Sequence, residues 1–165
     1  MGGTAIGGTG AVAIIALIVH ALCAVVWVGG MFFALLAFRP AAVRLEEEAR
    51  LLLWARTFER FAVWVFAAIV LLLLSGYAMV FAVFGGFAGI GLPVQLMQGI
   101  GIFMMLVYLH IYFAPRRRLR AAIARQDWSE GRRQLAQIRW ILAGILVLGL
   151  IVVAIGSSAP YWWWG

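Results

Sequence analysis

Four long apolar runs, set apart by short polar or glycine-rich stretches, organise this chain. They cover about 11–38, 61–84, 93–113 and 140–155. Each is close to the roughly 17–25 residues that a membrane-crossing helix needs, once ends overlapping the interface are allowed for. The stretches between them carry helix signals of their own. Leu45 to Arg60 mixes Glu46, Glu47 and Glu48 with Arg50 and Arg56, and Glu46 and Arg50 have favourable i,i+4 spacing. This predicts a helix that runs straight into the second span. Arg116 to Arg125 is expected to extend the third span. Asp127-Trp128-Ser129-Glu130 has the spacing of an Asp-led capping box and should start the helix that becomes the fourth. The connection from Gly85 to Gly91 is short, so spans two and three should be antiparallel neighbours. The pattern predicts an all-α integral membrane protein: an up-down-up-down four-transmembrane-helix bundle forming a single domain over 1–165. No internal repeat stands out.

Composition sharpens this picture. The chain is 66% hydrophobic and only 12% charged, with a net charge of +7. A soluble domain carries about twice that share of charge. All 13 basic residues are arginine, and they lie in two places only. Arg39 to Arg60 falls between spans one and two, and Arg116 to Arg139 between spans three and four. The positive-inside rule then puts both arginine-bearing loops in the cytoplasm and both termini outside it. The expected location is a bacterial-type inner membrane. The basic residues flank apolar spans and suit anionic lipid head groups, not nucleic acid. The first run far exceeds a signal h-region and has no positive residue before it, so a retained helix is expected. Tyr161-Trp162-Trp163-Trp164 reads as an interfacial aromatic anchor. Cys23 is the only cysteine, so no intrachain disulfide can form.

Two side chains within the apolar spans can gain or lose a proton near neutral pH, His20 and His110. Ionisable groups at such depth are costly and are functional candidates by default, and imidazole is the commonest metal ligand. Counting along the helix, His20 lies about 28 Å from Arg39, in the outer third of the membrane. Its face carries Ala13, Ala16, Leu17, Cys23, Ala24, Trp27 and Met31, and the alanines leave room beside the ring. Met79 and Ser75 in span two, and Gln95, Met97 and Gln98 in span three, fall near the same depth. Met79 and Met97 are soft donors, and Gln98 can orient an imidazole. His110 lies about 9 Å from Arg116 near the inner edge. There Arg116, Arg117 and Arg39 can neutralise haem propionates. The two histidines differ in depth by about 19 Å. That is too far for both to bind one iron within a subunit, so two sites, or one ligand and one bystander, are expected.

His20-Ala21-Leu22-Cys23-Ala24-Val25-Val26-Trp27-Val28-Gly29-Gly30, ending at Phe38-Arg39-Pro40-Ala41, resembles the first helix of the CopD-like copper-resistance membrane proteins. The same arrangement is similar to that of the related HemJ-type protoporphyrinogen oxidases. Tyr108-Leu109-His110 before arginine-rich sequence resembles the end of the third helix in that type. Both are small four-helix families. The HemJ type has a lysine where Gln98 stands and a further histidine after the first helix, and this chain has neither. The resemblance therefore implies haem b binding more than oxidase chemistry.

The first functional reading is a membrane haem b protein with a redox or electron-transfer role, as an enzyme an oxidoreductase, with quinone or another redox protein as the partner to consider. His20 and His110 would ligate iron, with Met79, Gln98, Trp27 and Arg116 around the haem. The haem would be non-covalent, because there is no Cys-x-x-Cys-His. The second reading is a CopD-like copper-binding or copper-transport protein using His20, Cys23 and Met97 as a soft site. The third is a cofactor-free structural subunit in which Gly99, Gly101, Gly144 and Gly149 are packing positions. A homodimer is compatible with each. No Ser/His/Asp set, paired intramembrane carboxylates or phosphate loop is present.

Overall fold

A computed structural model describes residues 8–161 of the protein, and the expected Trp162–Trp164 anchor lies outside them. Four helices are long and apolar enough to cross a membrane. The first, α1, runs over Gly8–Ala42. The second, α2, runs over Glu47–Phe84. The third, α3 (Leu92–Phe113), is followed after Ala114 by α4 (Pro115–Ala124), and α5 covers Trp128–Ser158. No strand occurs among the described residues. All four spans are thus present, and each helix overruns its apolar run at one or both ends.

Local chemistry sets the boundaries. Gly85, at φ +68°, closes α2 in the left-handed region, and Gly86 follows at φ +117°; glycine alone takes this pair without strain. Pro93 sits in the first turn of α3, where its missing N–H costs nothing. Asp127 caps α5 as the capping-box spacing predicts, accepting from the Glu130 N–H at 3.0 Å and from Ser129 Oγ at 2.9 Å. The Glu130 carboxylate does not reach back. It binds Arg133 and Gln134 instead. The expected Glu46–Arg50 side-chain pair does not form, because Glu46 sits in extended backbone as the N-cap of α2. Glu47 pairs with Arg132 of α5.

Helix α1 is not uniformly α-helical. It widens into π-helical turns at Val25–Gly29 and Ala34–Phe38. Such bulges are rare, and they often fall at functional sites. The buried stripe Cys23, Trp27, Met31 and Leu35 runs through both of them.

The tightest packing pairs α1 with α2, and α5 with α3 and α4. Small residues allow it. A Cβ on Gly149 of α5 would come within 3.3 Å of Met104 on α3, and one on Gly156 within 2.9 Å of Met97. The other three glycines of the structural reading, Gly99, Gly101 and Gly144, have no side chain within 4 Å of such a Cβ. Helices α2 and α3 meet through large rings, Phe66 against Tyr108 (5.9 Å between centroids) and Tyr112 (4.8 Å). Rings of this size hold two axes further apart than alanine and glycine do. The short Gly85–Gly91 loop therefore joins neighbours that touch by side chains, while the closest backbone seams lie elsewhere.

The surface has the inverse polarity of a soluble protein. Trp140 is 80% exposed, Val63 69% and Phe113 67%. Bilayer contact explains these side chains, since hydrocarbon outside the bundle solvates them as well as a core would.

Candidate functional site

His20 stands half-buried in the seam between α1 and α2. Its Nδ1 lies 3.1 Å from Ser75 Oγ. The serine decides the chemistry of the ring. Its hydroxyl has a single proton, and that proton goes back along its own helix to the Leu71 carbonyl at 2.5 Å. A hydroxyl that has already given its proton can only accept. In the tautomer that matches this arrangement His20 Nδ1 carries the N–H, and the neutral ring keeps its lone pair on Nε2. This is how proteins orient a ligating histidine: one nitrogen is tied to an acceptor and the other is left basic.

The space for the ring comes from Gly76. A Cβ there would lie 3.4 Å from His20 Cε1, so the Cε1–Nδ1 edge of the imidazole lies against bare backbone. Residue counting attributed this room to the alanines around His20. Ala16 is indeed buried in the seam, whereas Leu17 of the same nominal face is 58% exposed. Gly76, beside the Ser75 already placed at this depth, was the missed part of the site. Its signal was a small polar residue beside a glycine in an otherwise large apolar run.

The other candidate residues are spread over the bundle. Cys23, one turn beyond His20, is buried in the core cluster. Trp27 is 2% exposed and meets Tyr108 edge-on at 6.1 Å, its indole N–H unpartnered. Met79 is half-buried on α2, one turn beyond Ser75. Met97 lies against Gly156 in the α3–α5 seam, away from the α1–α2 seam that holds His20. Gln98 donates to Tyr77 Oη at 3.3 Å and so ties α3 to α2, with its amide spent on a phenol and not on an imidazole. His110 is exposed on α3. Arg116 packs its guanidinium 4.3 Å over the Tyr112 ring and faces Glu59 at 4.0 Å. The structure brings His20, Ser75 and Gly76 together, with Cys23 one turn away. It does not join His20 to His110, Met97 or Gln98. Among the described residues no three His, Cys, Asp or Glu side chains form a metal-holding group.

What this arrangement offers is one oriented imidazole lone pair in an apolar seam, with a sulfur donor on the same helix. Comparison with known proteins agrees with a metal theme. A family model described as copper resistance protein D, CopD, matches residues 55–159. The match spans α2 to α5 and includes Ser75, Gly76 and His110. It begins after α1, so His20 and Cys23 lie outside it. No curated protein and no solved structure matches the chain. With well over half of its length matched, this four-helix membrane chain belongs to the CopD family of copper resistance proteins.

Proposed function

We propose that this protein handles copper within the membrane, with the ion as cargo and His20 Nε2 as the donor that meets it. One observation carries the reading: His20 Nδ1 lies 3.1 Å from Ser75 Oγ, which in the Nδ1–H tautomer leaves a basic Nε2 in the α1–α2 seam. Cys23 is the natural second donor, because thiol sulfur and imidazole both suit copper(I). Two donors on one helix make a loose site. That suits passage, where an ion must leave as readily as it enters, better than storage. The positive-inside rule places this site in the outer half of a bacterial-type inner membrane, with both termini outside. One domain spanning the chain suffices for this role.

Copper is preferred to haem b on two grounds. The family description concerns copper. The histidines also diverge, His20 into a helix seam and His110 onto an exposed face, and neither lines the aromatic cavity of the bundle. The test is metal and pigment content of detergent-purified protein, together with copper(I) titration against a competing chelator. We expect copper binding that His20→Ala removes and His110→Ala leaves in place. A Soret band with sharp reduced α and β bands, lost in either variant, would overturn copper in favour of haem.

A further inference from the structure

Near the arginine-rich end the bundle holds a second feature that the copper reading does not use. A cavity of about 220 Å³ opens among α1, α2 and α3, walled by Phe38, Trp54, Phe58, Phe61, Tyr108 and Tyr112. Its polar groups are the hydroxyls of Thr57, Tyr108 and Tyr112 and two N–H donors. Trp54 is 1% exposed and lines the cavity, yet its indole N–H has no partner. Arg116 also lines it, with a buried and unpartnered Nε–H. Buried donors without acceptors are costly, and both of these would be satisfied by an acceptor placed in the cavity. Beside the cavity, and sharing Tyr112 and Arg116 with it, a shallower depression is lined by Arg117 and Arg120 as well. Glu59 offsets part of this charge, lying 3.2 Å from Arg120 and 4.0 Å from Arg116. Three guanidiniums against one carboxylate leave the mouth cationic.

We infer that this chamber and its mouth form a binding site for one anionic phospholipid, the phosphate on Arg116, Arg117 and Arg120 and an acyl segment among the rings. The division of the site matches an amphiphile: donors and charge at the membrane-interface end, hydrocarbon and rings below. Basic pockets between helices near the interface hold anionic head groups in this way. The volume falls below the roughly 300–1,000 Å³ of sites for drug-sized ligands. It fits an acyl-chain segment, and the head group would lie at the adjoining mouth. Phe33, which lines the cavity, is 61% exposed, so the chamber has an edge on the lipid side.

The test uses the full-length protein, delipidated in detergent. Its thermal unfolding is followed while phosphatidylglycerol, phosphatidylcholine or inorganic phosphate is added, and native mass spectrometry identifies what stays bound. We expect phosphatidylglycerol to stabilise the protein and to remain as one bound molecule, and the other two to do neither. Arg116→Gln should weaken that response by about tenfold or more. Because Arg116 also faces Glu59, the double variant Arg117→Gln/Arg120→Gln serves as a second reading from the exposed mouth. Ala62→Leu, inside the chamber, should abolish retention by filling it. Equal stabilisation by both lipids, or unchanged retention in the arginine variants, would overturn the assignment. So would phosphate alone reproducing the effect, or a neutral quinone recovered as the bound molecule.

Discussion

Ser75 shows how a single hydroxyl sets the reactivity of a group on another helix. By spending its proton on Leu71 it suits the tautomer of His20 whose Nε2 is basic. Losing an outer partner of this kind costs about 10–100-fold in metal affinity. We therefore expect Ser75→Ala to weaken copper(I) binding by about that factor in chelator competition, with the fold intact by circular dichroism. Ser75→Thr should retain most of the affinity. Equal affinities for wild type and Ser75→Ala would remove the serine from the site. The sequence already marked His20 as the residue to watch, since an imidazole in an apolar span is conspicuous. It also placed Ser75 at the same depth. It could not say that the two face each other. Rotation of one helix against another depends on which small residues let the backbones close, and Gly76 is readable as such a residue only once its neighbour is known. Gln98 illustrates the same limit: its depth was right, and its partner, Tyr77, was set by packing.

At the scale of elements, spans and caps were legible because they rest on local chemistry. The Asp127 cap has a pH consequence. The Glu130 backbone N–H, then the Ser129 hydroxyl, and further the charges of Arg125 and Arg133, hold the Asp127 carboxyl below the usual aspartate range. A carboxyl lowered on folding stabilises the folded state above its unfolded pKa, about 3.9. That contribution fades as pH falls through the lower folded value. Thermal unfolding between pH 7 and pH 3 should show wild type losing stability at the acid end. Asp127→Asn, which keeps an acceptor without the titration, should lose less, and Asp127→Ala should start lower throughout. Parallel curves for all three would show that the cap contributes nothing. What hydropathy could not reveal was irregularity within an element. The run from Ala11 to Phe38 is apolar throughout, and nothing in its pattern marks where α1 widens into π turns. Trp54 and Phe58 sat in a stretch that read as an amphipathic lead-in, so their part in walling a cavity was equally hidden.

For the whole molecule, the arginine distribution makes orientation testable. Alkaline phosphatase fused after Gly165 should be active and a green fluorescent protein fused there dark, since the C-terminus is expected outside. The reverse pattern would invert the bundle and move His20 to the inner half. The packing also has a sense of order. Helix α1 binds α2 most closely, and α5 binds α3 and α4, so the protein consists of two hairpins meeting along a ring-lined boundary. His20, Cys23, Ser75 and Gly76 all belong to the first hairpin. The chamber takes Trp54 from the first and Tyr108, Tyr112 and Arg116 from the second. A chain that enters the membrane from its N-terminal end therefore finishes the imidazole seam as soon as two helices have been laid down. The chamber is completed only when the later pair docks against the first, since Tyr108, Tyr112 and Arg116 come from it.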